Sequence, residues 1–480
     1  MTVHNVYYGK LPMQLKTSLA LVLVAGWSMS AQANELLNYY QLAYRHDADL
    51  RSARYQRDAA LETKPAARAL LLPQICASYD QIYNNSDVEV GYVDPASGTP
   101  ITLSRKNDGT DKSLNLNVSQ PLFSLEAWYQ LKQADEQVAL AQLSYQASEQ
   151  ALMLKVAESY FGALAASDRR RTATSEKDAL WRQLDLARQN LAVGLASVTD
   201  IEEVQARYDL AVAEELASSQ DQSAALEALD EFTRPPLKAI DERRVRVVSM
   251  TSEPKSGRTL AGLRDDVAPP ALPAGKRVDQ WLEEAQLGNF DLLAAKLGFD
   301  IAARDVQTAT AKHLPTVAAT LSYTDSRSGG GAFPTQADGT AIGLSLKLPI
   351  FSGGATRSAV RRAVAGREQK LADFDGSQRQ IERQIRVTYQ AVLSGAARVK
   401  ALKLALASSG SAVVAVETGQ EIGTRTAIDL LNAQQQRYAA ERNYNQARYD
   451  QVLALLRLKS LTGRLALRDI TEIDALLTAS

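Results

Sequence analysis

Cysteine and histidine are nearly absent from this 480-residue chain: Cys76 stands alone, and the histidines are His4, His46 and His313. A single thiol excludes an intramolecular disulfide. Three scattered histidines give neither a metal-ligand spacing nor a Ser/His/acid constellation. No strong charge of either sign is present, since the net charge is -1, so nothing calls for a nucleic-acid or other polyanionic partner. A phosphate-binding loop is missing too, because Gly329-Gly330-Gly331 lies between two strand-like segments rather than opening a helix. The carboxylates Asp200, Glu202 and Glu203 sit at a helix start, where they suit capping and the helix dipole rather than acid/base chemistry. No catalytic residue, cofactor or metal is expected, and the chain does not read as an enzyme.

Long apolar runs are also lacking. The mean hydropathy of -0.22 is too polar for a bundle of membrane helices. The one apolar run that stands out, Ser18 to Trp27, falls short of the roughly 20 residues that span a bilayer. Lys10 and Lys16 precede it and Ala31-Gln32-Ala33 follows, which is the basic, apolar, small order of a secretory signal peptide. Mature protein is then expected to begin near Asn34. Met13 is an alternative start, because Lys16 and the apolar run already make a compact leader. Cys76 lies far from the cleavage site, so no acylated N-terminal cysteine is available.

What is present is a chain written twice. Asp49-Leu50 and Asp291-Leu292 each open a helical pattern that runs to a Leu-Pro, at Leu72-Pro73 and Leu314-Pro315. Two alternating segments follow in each half, the second ending in Gln120-Pro121-Leu122-Phe123-Ser124 or Leu348-Pro349-Ile350-Phe351-Ser352. A long Ala/Leu/Gln-rich helical stretch comes next, broken at Gly194 to Asp200 or Gly423 to Asp429, with Arg207-Tyr208 or Arg437-Tyr438 beyond. Each half therefore reads helix, strand, strand, long helix, turn, helix.

The strands alternate. Leu114, Leu116 and Val118 are opposed by Asn115, Asn117 and Ser119; Ile342, Leu344, Leu346 and Leu348 by Gly343, Ser345 and Lys347. Val317 to Thr324 alternates in the same way, and in the less regular first strand Ile75, Ala77 and Tyr79 oppose Cys76, Ser78 and Asp80. Runs of about ten residues suit tilted transmembrane strands facing lipid on one side and water on the other. A soluble sheet packed on one face alternates identically. Closure separates the two readings: four strands cannot close, and an open edge in lipid leaves backbone groups unsatisfied. Two copies would make about eight strands with a filled interior, whereas three would make about twelve and leave a lumen.

From Ser124 to Val193 and from Gly354 to Ile422 there is no proline. Helices of that length would reach about 100 Å. Leu131, Ala134, Val138, Ala141, Tyr145 and Leu152 follow heptad spacing, with a second seam at Leu140, Leu143, Ala147, Ala151 and Leu154. Two seams suit a helix flanked on both sides in a single-layer tube. Between the halves, prolines at 235–236, 254, 269–270 and 273 bracket a mixed-charge stretch with a β-like Val245 to Met250. The organisation expected is a signal peptide at 1–33 and a first repeat at 34–234, with strands at 74–83 and 113–122 and a turn at 194–200. A linker at 235–276 leads to a second repeat at 277–470, with strands at 316–325 and 341–350 and a turn at 423–429. A tail at 471–480 closes the chain.

With these landmarks the chain resembles the TolC family of outer-membrane factors over almost all of its mature length. The resemblance rests on Val193-Gly194-Leu195 with Thr199-Asp200, on Gly423-Thr424-Arg425-Thr426 with Asp429, on Pro349-Ile350-Phe351 with Gly353-Gly354, on Phe123-Ser124 with Trp128, and on Arg448-Tyr449. It implies an α+β membrane protein in which three chains build one twelve-stranded transmembrane β-barrel, four strands per chain, continued by a twelve-helix periplasmic α-barrel. It also implies an exit duct for multidrug efflux or type I protein secretion. A periplasmic adaptor protein and an inner-membrane pump or ABC exporter are the partners expected, besides outer-membrane lipid. Carried over by motif, Thr199, Asp200 and Arg425 hold the periplasmic gate, with Gln183, Glu417 and Arg448 as a second set, and Asp429 lines the constriction. The turns at Gly194, Leu195, Gly423 and Thr424 would meet the adaptor. Two positions depart from the pattern: Gln420 replaces an aromatic partner of Asp200, and Asn432 replaces a second constriction aspartate. A non-conducting coiled-coil protein of the envelope is the alternative, which the alternating strands do not fit.

Overall fold

The computed structural model describes residues 35–93, 95–194, 197–234, 260–264, 270, 272–273, 275–329 and 335–477. The expected leader and its two candidate starts, the β-like stretch at 245–250, most of the linker, Leu195 and residues 478–480 lie outside them. The chain divides into two compact units, and each draws on both repeats.

One unit comprises residues 52–147 and 290–381. Its centre is an antiparallel sheet of β1 (Gln74–Val93), β2 (Pro100–Phe123), β3 (Thr316–Ser328) and β4 (Thr335–Lys347), paired in that order. The strands extend beyond the alternating segments expected. β1 and β2 continue as a hairpin as far as Val93 opposite Pro100. β4 lies earlier than 341–350 and stops at Lys347, because Pro349 has no N–H to give to a ladder. Pro121 is accommodated at an irregularity between Pro121 and Phe123.

Register carries the alternation across all four strands. Ile75, Val118, Leu321 and Ile342 form one rung, and Ala77, Leu116, Tyr323 and Thr340 lie two positions on. The intervening rung is Cys76, Asn117, Ser322 and Ala341, followed on the same side by Ser78, Asn115, Thr324 and Gly339. Opposed residues in a ladder share a face, so the sheet has one apolar and one polar side. Among the described residues neither of its outer strands, β1 and β4, is paired at its free edge.

In the same unit the first part of α4 (Leu125–Ala192) is flanked twice. From α2 (Ala48–Leu61) and α3 (Thr63–Ala69), Arg57 lies 4.5 Å over the Tyr145 ring and Lys64 pairs with Asp135 at 2.7 Å. From α7 (Phe290–Ala311), Arg304 Nε meets Glu136 at 2.8 Å and Asp305 accepts from Gln133.

The other unit comprises the described residues before Ser52 together with 148–289 and 382–480. It holds α1 (Glu35–His46), α5 (Val198–Glu231), α6 (Val278–Gly288), α9 (Ala427–Leu461) and α10 (Leu467–Asp474), with the latter parts of α4 and of α8 (Ala355–Glu421). α8 lays Ile385, Val392, Val399, Leu406 and Val413 along one seam, a repeat of seven that implies left-handed coiling on α9. α9 meets α4 through Arg442 and Glu176, Tyr449 and Asp168, and Arg457 and Glu158. α4 meets α5 through Leu180 and Leu184 against Val204 and Ala211. α8 thus packs on α9, α9 on α4, and α5 on both α4 and α9, where Val204 and Leu431 share a cluster. The segment expected as a tail is folded instead: α10 buries Ile470 and Ile473, Leu477 bridges to Leu263, and Asp474 accepts from Leu36 N at the start of α1. Burial is the main cause holding the Asp474 carboxyl above the ordinary range.

Candidate functional site at the helix turns

Each repeat closes its long helix in the same way. Gly194 and Gly423 both adopt a φ of 78°, the left-handed conformation that ends a helix at little cost only for glycine. At the second turn Gly423 N donates to Gln420 O at 3.0 Å and Thr424 N to Gly419 O at 2.8 Å, the paired reverse bonds of a Schellman closure. Thr426 then caps α9. Its hydroxyl accepts from Asp429 N at 3.1 Å, and the Asp429 Oδ2 accepts from Thr426 N at 3.0 Å, a reciprocal box that satisfies two orphan donors. The Thr426 backbone N–H first, then its hydroxyl, hold the Asp429 carboxyl below the usual aspartate range, with the nearby Arg425 acting in the same direction. Asp429 thus both caps its helix and remains a partly exposed anion beside the turn. At the first turn Ser197 Oγ and Thr199 Oγ1 lie 2.7 Å apart. The Asp200 backbone belongs to α5, and its side chain is outside the described residues.

Arg425 is exposed, with its stem folded back along the last turn of α8. A Cβ built on Gly419 would lie 2.8 Å from Arg425 Cγ, so glycine there makes room for the arginine. Gln420 is half-buried and Glu417 exposed on α8, and Gln183 is half-buried on α4. Arg448, expected to link with Gln183 and Glu417, has other company. It is buried, donates to the Arg264 carbonyl and lies 5.4 Å from the Tyr444 ring centroid. It is about 30 Å further along α9 than Asp429 at 1.5 Å per residue. Its placement is that of a core arginine, paired by backbone and ring, rather than of a turn residue.

Asn432 is engaged by a residue that motif reading missed. Arg207 of α5 donates through Nη1 to Asn432 Oδ1 at 2.9 Å and through Nη2 to Glu203 Oε1 at 2.9 Å. From the sequence, Glu203 and Arg207 look like an ordinary surface pair four apart on a helix, and nothing marks Asn432 as their neighbour. Beneath this link, Leu431 packs among Leu180, Leu184, Val204 and Ala211, while Leu430 packs with Val413 and Ala433. An open cavity of about 580 Å³ lies beside it, between α4, α5 and α9, lined in part by Glu176, Arg207, Glu214, Tyr438 and Arg442. No cluster of three or more potential metal ligands occurs among the described residues. The chemistry available at the turns is hydrogen bonding and charge, which can hold helices together or release them.

The comparisons with known proteins agree with this architecture. The sequence matches the outer membrane efflux protein family over residues 39–233 and 281–464. It is 30% identical to the outer membrane protein TolC of Vibrio cholerae over 472 residues, covering 97% of this chain and 98% of the relative. It is 28% identical to the proteases secretion protein PrtF of Dickeya chrysanthemi, over 96% of this chain and 95% of that one. Among solved structures the fold resembles the outer membrane protein VceC of Vibrio cholerae, with a TM-score of 0.70 at 20% identity over 90% of this chain and 97% of that one. The CmeC outer membrane channel of Campylobacter jejuni superposes with a TM-score of 0.72 at 14% identity, over 92% and 89% of the two chains. Matched across both of its repeats, the chain belongs to the outer membrane efflux protein family and is an outer-membrane protein of the TolC type.

Proposed function

We propose that three copies of this chain close into one twelve-stranded barrel in the outer membrane, continued by twelve helices into the periplasm, to form an exit duct for efflux or protein secretion. The observation that carries this is the sheet. Its rungs keep apolar residues on one face and polar ones on the other, while its two outer edges have no partner among the described residues. In lipid such edges must be paired, and identical copies pair them edge to edge around a polar lumen. A coiled-coil envelope protein would have no use for such a sheet. A leader at 1–33 delivers the chain across the inner membrane in this reading.

The turns form the gate. Thr199, Asp200 and Arg425 link neighbouring turns, and three copies of Asp429 ring the constriction. Docking of a periplasmic adaptor at the turns around Gly194, Leu195, Gly423 and Thr424 opens it toward an inner-membrane pump or exporter. Cys76 shares its rung with Asn117 and Ser322, so it faces the lumen. A polar maleimide is expected to label it in the intact assembly, and labelling only by a lipid-partitioning reagent would overturn the barrel. For the gate, a trivalent cation is expected to obstruct the wild-type channel in planar bilayers, since closely spaced carboxylates repel and a multivalent ion relieves that repulsion. Asp429→Ala removes the obstruction; equal sensitivity of the two proteins would exclude Asp429 as the ring.

A further inference from the structure

We propose that Arg207 is the latch of the closed state within each protomer and that Asn432 is its catch. The proposal rests on the gate reading and names a residue pair that the family pattern does not supply. Arg207 bonds α5, from the first repeat, directly to α9, from the second, through Nη1 and Asn432 Oδ1 at 2.9 Å. Its other terminal nitrogen is held by Glu203, one turn back on its own helix, at 2.9 Å. A planar guanidinium engaged at both ends is aimed before it meets its catch, which a flexible ammonium would not be.

The surroundings make this contact a point of closure. Val204, one turn before Arg207, packs against Leu431, the neighbour of Asn432, together with Leu180, Leu184 and Ala211. The polar link therefore lies on the apolar contact that α9 makes with the α4 and α5 pair, and any movement of α9 away from α5 breaks both. The bonds at the second turn cannot serve in its place. Those of Thr424 end on Gly419 at the end of α8, and those of Thr426 end on Asp429 at the start of α9, so they move with that pair. The Ser197 and Thr199 contact likewise stays within its own turn. Gln420 stands where the resemblance calls for an aromatic tie, and the Arg207 bond supplies a tie a short way along the helices instead.

The pair also sets the charge near the constriction. Asp429 and Asn432 lie three apart on α9, the first an anion and the second bonded to a cation. The substitution Asn432→Asp, which from sequence would add a second carboxylate ring, instead places its carboxylate against Arg207. The arginine neutralises much of that charge, and the bond from the guanidinium to an amide becomes an ion pair and stronger. Tighter closure, rather than tighter cation block, is the consequence.

Single-channel conductance in planar bilayers tests this, with trimers of wild type, Arg207→Ala, Asn432→Ala, the double variant, Asn432→Asp and Arg425→Ala. Arg207→Ala and Asn432→Ala are each expected to raise the resting conductance at least twofold. The double variant is expected to match the larger single effect, because both remove one bond. Asn432→Asp is expected at or below the wild-type conductance, with its sensitivity to a trivalent cation little changed. If Arg425→Ala opens the channel and Arg207→Ala leaves it at the wild-type level, the latch is overturned while the gate stands. If neither opens it, the gate reading falls and the latch with it. Additive effects in the double variant would likewise overturn the pairing.

Discussion

The two long helices of the repeats, α4 and α8, are almost equal in length, at 68 and 67 residues, yet they live in different surroundings. α4 buries a continuous run that includes Val156, Ala157, Tyr160, Phe161, Ala163, Leu180 and Leu184. α8 buries Ile381, Ile385, Val392, Val399 and Val413, a single seam, and leaves Leu404 63% and Val414 62% exposed. The difference is one of neighbours. α4 packs against both α9 and α5, whereas the apolar seam of α8 meets α9. An 18-residue window of α8 has a mean hydropathy of 1.5 with only 11% of it buried, which by length and composition would suffice to cross a membrane. In the proposed trimer, this apolar flank is the face a second copy would cover. The two repeats carry helices of almost equal length, and their neighbours have made one a core and the other a flank.

Four changes would break or sharpen that comparison. The largest effect is expected from Leu404→Glu combined with Val414→Glu, which abolishes trimer formation in light scattering while helix content by circular dichroism stays at the wild-type level. A trimer that survives would show that this flank is not an interface. Next, Phe161→Ala in α4 removes a ring packed 5.8 Å from that of Tyr160 and 5.7 Å from that of Tyr449. It should cost about 4 kcal/mol and lower the thermal midpoint most among single core changes. Ile385→Ala in α8 should cost less, about 2–3 kcal/mol, because a smaller side chain without ring contacts is removed. Equal losses at Phe161 and Ile385 would erase the distinction between core and edge. The smallest effect belongs to the turn that joins α8 to α9: Thr426→Ala removes the cap and should cost about 1 kcal/mol. It is detectable as faster amide exchange at Asp429, whose N–H loses its acceptor, without any change in assembly.

Much of this was legible in the chain itself, for identifiable reasons. The alternation of Leu114, Leu116 and Val118 with asparagines and serine survives into the sheet because a period of two leaves a strand only two faces. The turns at Gly194 and Gly423 were visible because a left-handed closure demands glycine. Which helices would be covered was not legible. Ala134, Tyr145 and Leu152 of the first seam in α4 are buried, while Leu140, Leu143 and Leu154 of the second are only half-buried and Ala151 is exposed. Periodicity gives a stripe but not its partner. Motif reading erred in a similar way at Arg448, whose neighbours are a distant carbonyl and ring, and it passed over Arg207, whose sequence context is that of a surface pair. Contacts between elements far apart in the chain decide both.

The hairpin of β1 and β2 outlasts the rest of the sheet. Its last rung with β3 pairs Asp111 with Ser328, yet the two strands stay paired as far as Val93 and Pro100. Beyond Thr110, whose carbonyl accepts from Gly329 N, the described pairing of the ribbon is with itself, and a two-stranded ribbon in water is barely stable alone. These residues are expected to exchange their amide protons soonest and to offer a protease its easiest cut. Such nicking would leave the rungs that β3 and β4 share with β1 and β2 intact, so the ribbon can be trimmed, extended or replaced by another sequence while the four-stranded sheet goes on folding.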